Sequence, residues 1–168
     1  MSDNEEHPLR QLISTFTVDE TEYENTLHEH LRINRGNLSG DYEKHSEYFA
    51  YWSTLYELAL DHQTRAEIDL ERLYAIIDAE KRSQLGLTGG KVTEKTVENA
   101  VITDDRYIAA QVIVLDAKRN TGLLKAGRDA MIHRRDMLVS LGANYRAESK
   151  SDISLLQDQY RNKFGNNG

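Results

Sequence analysis

Apolar side chains recur at alternating steps of three and four residues along two long segments of the chain. The first segment begins at Asp41 and ends near Leu85, with aromatic residues in its first half and aliphatic residues in its second. The positions of this first stripe are Tyr42, His45, Phe49, Trp52, Tyr56, Ala59, Gln63, Ala66, Leu70, Leu73, Ile77 and Glu80. A heptad repeat sustained over this length predicts a long helix with a coiled-coil-like apolar edge.

A second stripe with the same spacing follows a break in the pattern at Thr103. Its positions are Tyr107, Ala110, Val114, Ala117, Thr121, Leu124, Arg128, Met131, Arg135 and Leu138. Thr103 or Asp104 is suited to cap the start of this second helix, and Gly142 is suited to end it. Three further apolar residues widen the stripe: Ile108, Val112 and Leu115. A wider apolar face indicates that this helix contacts two neighbours.

The connection between the two stripes is short and contains Gly86, Gly89 and Gly90. A brief helical segment follows, and Thr93 is suited to cap its start. Two long helices joined in this way pack side by side and antiparallel. We therefore predict an all-α fold, a long antiparallel helical hairpin with short flanking helices, coiled-coil-like and oligomerising. Oligomerisation is expected because an elongated hairpin of this size leaves apolar surface uncovered.

The pattern divides the chain into three parts. Residues 1–40 form an acidic N-terminal arm with a short helix over 21–33 that Asp19 caps. Residues 41–142 form the helical hairpin core. Residues 143–168 form a polar C-terminal tail with a short amphipathic helix.

Some apolar positions exceed what a single hairpin can bury. The aromatic run 48–52 is too dense for one helix face, and the tail carries an apolar stripe of its own. A stripe outside the main hairpin is expected to dock on the body of the protein or on a neighbouring subunit. The residues expected to form oligomer contacts are Phe49, Trp52, Tyr56, Leu138, Ile153, Leu156 and Tyr160.

The formal charge of −7 is unevenly distributed along the 168 residues. Residues 1–40 and 41–103 each carry a net charge of −5, whereas residues 104–168 carry +3. This asymmetry argues against a protein coated with nucleic acid, but it allows one basic face that binds it. The chain has no cysteine, which excludes disulfide and thiolate chemistry. An acidic N-terminus and the absence of a long apolar run predict a soluble cytoplasmic protein with no membrane partner.

No group of residues in the sequence predicts catalysis, a metal site or a cofactor. His28 and His30 point about 200° apart on a helix and cannot share one ion. Asp61 and His62 have no nucleophile beside them, and the glycine-containing stretch 86–91 lacks the spacing of a phosphate-binding loop. We therefore expect a protein that is not an enzyme.

Basic residues cluster near the end of the first long helix and recur near the end of the second. Binding of a phosphate backbone needs several cations along one path. The alternative is ordinary salt bridging along solvated helices, as between Asp78 and Arg82. The candidate DNA-binding residues are Arg72, Lys81, Arg82, Lys91, Lys95, Arg134 and Arg135.

Several local features occur together between Tyr48 and Ala147. They are the pair Tyr51-Trp52, the stretch 70–74 (LERLY), the joint Gly89-Gly90-Lys91, the acidic start Asp104-Asp105, and the closing block 124–141 with Ala130 and 133–138 (HRRDML). With these features the chain resembles the bacteriophage recombination-mediator family typified by the UvsY protein. The chain departs from that family in being acidic along its first long helix and in having residues 1–40 before it.

The resemblance implies a non-enzymatic function in DNA recombination and repair, in the host cell cytoplasm if a bacteriophage encodes the protein. Such mediators bind single-stranded DNA, form rings, displace single-strand-binding protein and load a RecA-like recombinase. The family's DNA contacts correspond to Arg72, Lys81, Arg82 and Lys91. The alternative is an acidic helical adaptor, such as a phage inhibitor, that acts only through protein partners and uses its negative face as a DNA mimic.

Overall fold

The computed structural model describes residues 15–18, 21–87 and 92–164. Two long helices dominate it, α2 (Leu38–Leu87) and α4 (Asp105–Phe164). The smaller elements are β1 (Thr15–Val18), β2 (Thr21–Glu24), α1 (Leu27–Leu31), a 3-10 turn (Arg35–Asn37) and α3 (Glu94–Ile102).

Contacts between α2 and α4 show that the two helices are antiparallel, because rising residue numbers on one meet falling numbers on the other. In order along α2, the contacts are Asp41 with Arg134, Ala59 with Thr121, Glu67 with Lys118, and Glu80 with Arg106. The prediction of an all-α antiparallel hairpin with short flanking elements is therefore confirmed.

The apolar core runs along the α2–α4 seam and confirms both predicted stripes. Fully buried stripe residues are Trp52, Ala59 and Ile77 on α2, and Val114, Ala117, Leu124, Met131 and Leu138 on α4. The α2 stripe departs from prediction at Tyr42 and Phe49, which are exposed. The α4 stripe departs from prediction where Arg134 is buried and Arg135 is exposed. Both residues fit a spacing of three and four between Met131 and Leu138, so the pattern did not distinguish them.

A close approach between the long helices occurs at Gly127. A Cβ atom there would lie 2.8 Å from Cε3 of Trp52, whose Nε1 donates a hydrogen bond to His30 Nδ1 (3.1 Å) and so fixes the ring. We expect Gly127→Ala to lower the free energy of unfolding by about 1–3 kcal/mol through overpacking. Gly122→Ala is the matched control, because nothing lies within 4 Å of its Cβ position.

The control substitution is expected to raise the free energy of unfolding by up to about 1 kcal/mol, since alanine is the better helix former. Urea denaturation of the two variants beside the wild type measures both effects. A stabilising effect at position 127 would contradict the close packing of Trp52 on this helix.

The prediction of a helix over 21–33 is wrong. Instead, β1 and β2 pair antiparallel, with Phe16 opposite Tyr23, and the helix is confined to Leu27–Leu31. The reason is a period of two in β1, where Phe16 and Val18 point into the core and the threonines between them face outward. The proposed cap Asp19 lies outside the described residues.

The prediction that Gly142 ends the second long helix is also wrong, because α4 continues unbroken to Phe164. Gly142 is instead a point of close approach, where a Cβ atom would lie 3.0 Å from the Tyr42 hydroxyl oxygen. That hydroxyl donates a hydrogen bond to the carbonyl oxygen of Leu138 (2.6 Å). The amphipathic segment predicted in the tail is therefore the last part of α4.

We call residues 143–164 the α4 extension. The start of α2 lies level with Leu138 and Gly142, so α2 covers this face of α4 only up to that point. Every side chain from 143 to 161 is exposed. The spacing of the buried stripe nevertheless continues into the extension, at Tyr145, Ser149, Ile153, Leu156 and Tyr160. At 1.5 Å per residue the extension is roughly 33 Å long.

Candidate nucleic-acid interface

Three helices meet at the end of the hairpin opposite the α4 extension, and each contributes cations there. Lys81 and Arg82 lie near the end of α2, Lys95 lies in the first turn of α3, and Arg106 lies in the first turn of α4. We call these four residues the hairpin-end cations. Lys91, which was also predicted to contact DNA, lies outside the described residues. Arg106 was missed because the sequence does not show how the start of α4 meets α2.

Arg82 is held between two carboxylates from different helices. Its Nε donates to Asp78 Oδ2 (2.6 Å), one turn earlier on α2, and its Nη1 donates to Glu94 Oε1 on α3 (2.9 Å). These hydrogen bonds lower the pKa of Glu94 and raise that of the Arg82 guanidinium. The predicted pairing with Asp78 is thus confirmed, and the pairing with Glu94 adds a link to α3.

A second network joins α2 to the start of α4. Asp104 accepts from Arg106 Nε and from Lys81 Nζ, both at 3.0 Å, and Arg106 Nη2 also donates to Glu80 (2.6 Å). Hydrogen bonds from Arg106 and then from Lys81 hold the pKa of Asp104 well below its usual range. Asp104 also accepts from the backbone N–H of Arg106 (3.0 Å), which confirms it as the cap of α4.

Carboxylates therefore accompany most of the cations at this end of the molecule. Arg72 lies earlier on α2, and its Nη1 is 3.3 Å from Asp69 Oδ1. Both of these side chains are largely exposed. Lys95 is exposed and has no ion pair among the residues that the structure describes. The result is a locally balanced surface in a chain that is acidic as a whole.

Arg134 cannot be a DNA contact, because its side chain is only 1% exposed. It donates to the Arg32 carbonyl oxygen (3.1 Å) and to Asp41 Oδ1 (2.7 Å), and it lies over the Tyr48 ring. The prediction of Arg134 as a DNA-binding residue is therefore wrong, and its role is to join α4 to the start of α2. Its neighbour Arg135 is exposed and donates to Asp136 (2.8 Å).

The residues predicted to form oligomer contacts fall into three groups. Trp52 and Leu138 are buried in the core of the chain itself, so their assignment to an oligomer contact is wrong. Phe49 is partly exposed, and Tyr56 is half-buried beneath the guanidinium of Arg128 (4.3 Å). The three residues in the α4 extension are exposed: Ile153, Leu156 and Tyr160.

The side chain of His30 is held in place by contacts with aromatic residues of α2. His30 stacks on Tyr48 with ring centroids 4.1 Å apart, and burial lowers its pKa below 6.5. A neutral His30 can accept the hydrogen bond from Trp52, whereas a protonated ring cannot.

Across the described ranges, no cluster of three or more His, Cys, Asp or Glu is arranged to hold a metal ion. Within the same ranges, no helix is both long and apolar enough to span a membrane.

We compared the chain with models of protein families, with curated proteins and with solved structures, and none of them matches it. Two features of the molecule bear on its function. One is the set of hairpin-end cations with their carboxylates, and the other is the exposed stripe of the α4 extension.

Proposed function

We propose that this protein is a non-enzymatic recombination mediator. It binds single-stranded DNA, displaces single-strand-binding protein and helps to load a RecA-like recombinase, in the host cell cytoplasm if a bacteriophage encodes it. The observation that carries the proposal is the meeting of cations from three helices at one end of the hairpin. The resemblance to the recombination-mediator family supports the same function.

The ion pairs at the hairpin end do not prevent phosphate binding. Arg72, Arg82 and Arg106 are between 41% and 73% exposed, and exposed ion pairs contribute only about 0–1 kcal/mol each. A DNA strand presents closely spaced phosphates, and its binding releases condensed counterions. Phosphates therefore compete with the carboxylates for these guanidinium groups, most effectively at low salt.

Assembly of identical subunits is the second part of the proposal, because single contacts of this kind are weak and repetition multiplies them. We propose that a second copy of the chain packs on the α4 extension. The apolar stripe there continues the face that α2 buries in the body of the protein. Three basic residues (Arg146, Lys150, Arg161) balance three acidic ones (Glu148, Asp152, Asp158) within 143–161, so the extensions of two copies do not repel each other.

The exposed area of the chain agrees with assembly. Its solvent-accessible surface is 12600 Å², whereas a compact monomer of 19.3 kDa exposes about 8,500 Å². An obligate interface buries about 1,000–2,500 Å² on each partner, so the excess of about 4,000 Å² on one chain is larger than one such interface would remove. Contact between copies would bring the accessible surface of each subunit closer to that of a compact protein.

We expect replacement of Arg72, Arg82 and Lys95 together by alanine to weaken single-stranded DNA binding several-fold at low salt. The physical reason is the loss of three exposed cations on one path, which also flattens the dependence of affinity on salt. Fluorescence anisotropy of a labelled oligonucleotide, single- and double-stranded, at several salt concentrations measures both effects. Preference for the single strand is expected throughout.

The matched control replaces Arg32, Arg35 and Lys44, three exposed cations at the opposite end of the hairpin and outside the α4 extension. This variant has the same net charge as the first, so any difference between the two comes from position. Equal weakening in the two triple variants would contradict the assignment of the DNA site to the hairpin end.

A second function is favoured by the same ion pairs. Lys81, Arg82 and Arg106 already have carboxylate partners, while the α4 extension offers an apolar stripe for a protein. An acidic helical adaptor that binds only proteins, for instance as a DNA-mimicking phage inhibitor, uses the extension and needs no DNA site. Absence of DNA binding at low salt, together with intact assembly, would select this alternative.

A further inference from the structure

The two carboxylates on Arg82 differ in how firmly they are held. Asp78 belongs to the same helix, one turn away, and only 22% of its side chain is exposed. Glu94 reaches Arg82 from α3, and 84% of its side chain is exposed. Asp78 therefore fixes the direction of the guanidinium, whereas Glu94 makes a contact that solvent and ions can reach from most sides.

Glu94 occupies the part of the guanidinium that a phosphate would use. Its Oε1 accepts from Nη1 (2.9 Å) and its Oε2 accepts from Nη2 (2.5 Å), whereas Asp78 accepts from Nε (2.6 Å) and, at the longer distance of 3.3 Å, also from Nη2. This two-point arrangement is the one that arginine also offers to a phosphate group. An oxyanion from a DNA strand and the Glu94 carboxylate therefore compete for the same pair of N–H groups.

Release of the Glu94 side chain does not require α3 to move. Glu94 is the first residue of α3, and Thr93 caps the helix by accepting from the backbone N–H of Thr96 (3.2 Å). The helix is anchored one turn later by Val97 and Val101, which are fully buried against Ile77. Rotation of one exposed side chain thus frees the outer edge of Arg82 while the helices stay packed.

We propose that Glu94 is a built-in competitor for DNA phosphate at Arg82, which limits the affinity of the hairpin end for single-stranded DNA. This inference rests on the proposed DNA-binding function. Binding of the strand exchanges the Glu94 carboxylate for a phosphate, while Asp78 keeps the guanidinium aimed outward. The protein therefore holds DNA weakly enough to hand it on, with an affinity set by one side chain.

The test compares Glu94→Gln with Glu98→Gln, which removes the same charge from the next turn of the same helix. Glu98 is exposed and has no ion pair among the described residues. We expect E94Q to raise the affinity for a labelled single-stranded oligonucleotide several-fold. We also expect it to steepen the slope of log affinity against log salt, because in the wild type the released Glu94 carboxylate takes up a counterion when the strand binds. E98Q is expected to change affinity less than about twofold, with no change of slope.

Each outcome decides between the proposals. If the wild type binds DNA but E94Q and E98Q behave alike, the competitor role of Glu94 is overturned and the DNA-binding function stands. If none of the three proteins binds at low salt, the DNA-binding function falls and the competitor role falls with it. Adding Arg82→Ala to E94Q should abolish the gain, and persistence of the gain would also overturn the role. Circular dichroism verifies that the variants keep the helical fold.

Discussion

Replacing Arg134 by alanine is expected to lower the free energy of unfolding by about 3–5 kcal/mol. The side chain is almost completely buried and donates to three oxygen atoms, Asp41 Oδ1 (2.7 Å), the Arg32 carbonyl (3.1 Å) and the Asp41 carbonyl (3.3 Å). Its loss removes a donor from each of these acceptors, among them a carboxylate that is only 12% exposed and that keeps one hydrogen bond, from the Asn34 backbone N–H (2.6 Å). It also removes the link that joins α4 to the start of α2.

The neighbouring residue provides the matched control. Arg135→Ala removes the same charge from a side chain that is 58% exposed, and its expected effect is within about 0.5 kcal/mol. Urea denaturation at one fixed protein concentration measures both variants, because the proposed assembly would make apparent stability depend on concentration. Similar losses of stability in the two variants would show that the buried contacts of Arg134 are not what holds the start of α2.

Substituting Leu156 by aspartate is expected to convert the assembled protein to monomers. Leu156 lies on the stripe of the α4 extension, and an unpaired carboxylate buried in an apolar contact is strongly unfavourable. Leu155→Asp makes the same chemical change about 100° around the helix, away from the stripe, and is expected to leave assembly intact. Light scattering coupled to size-exclusion chromatography gives the mass of each variant.

Two results would contradict this prediction. If the wild-type protein is monomeric at all accessible concentrations, the proposal that copies pack on the extension is wrong. Loss of assembly in both variants would show that the stripe is not the contact face. Because the side chains from 143 to 161 are exposed, neither substitution should disturb the core of the hairpin.

Heptad spacing predicted the two long helices, because few structures other than a helix fit such a repeat over many turns. The paired strands β1 and β2 were missed because four residues per strand are too few for a period of two to stand out. The inward position of Arg134 was assigned to Arg135 because steps of three and four fit both residues. Each of these errors arises where the local pattern admits two structures and tertiary packing selects one.

The hairpin-end cations were predicted by residue type, but their partners were only partly predicted. The pair of Asp78 and Arg82 follows from their spacing on one helix. The contacts of Arg82 with Glu94 and of Glu80 with Arg106 depend on how far one helix is displaced along another. That displacement is set by packing along the whole seam, and a single sequence does not reveal it.

Because α4 is one continuous helix, a small rotation at its extension moves its other end by a large distance. From Arg106 at the hairpin end to Leu156 in the extension the helix spans roughly 75 Å. In the proposed assembly, a rotation of about 10° where two extensions meet displaces the far end of the subunit by roughly 13 Å over that length. The distance between DNA segments held by neighbouring subunits is then governed by the angle of a remote helix contact. Substitutions in the extension would change the length of DNA covered without altering any residue that contacts it.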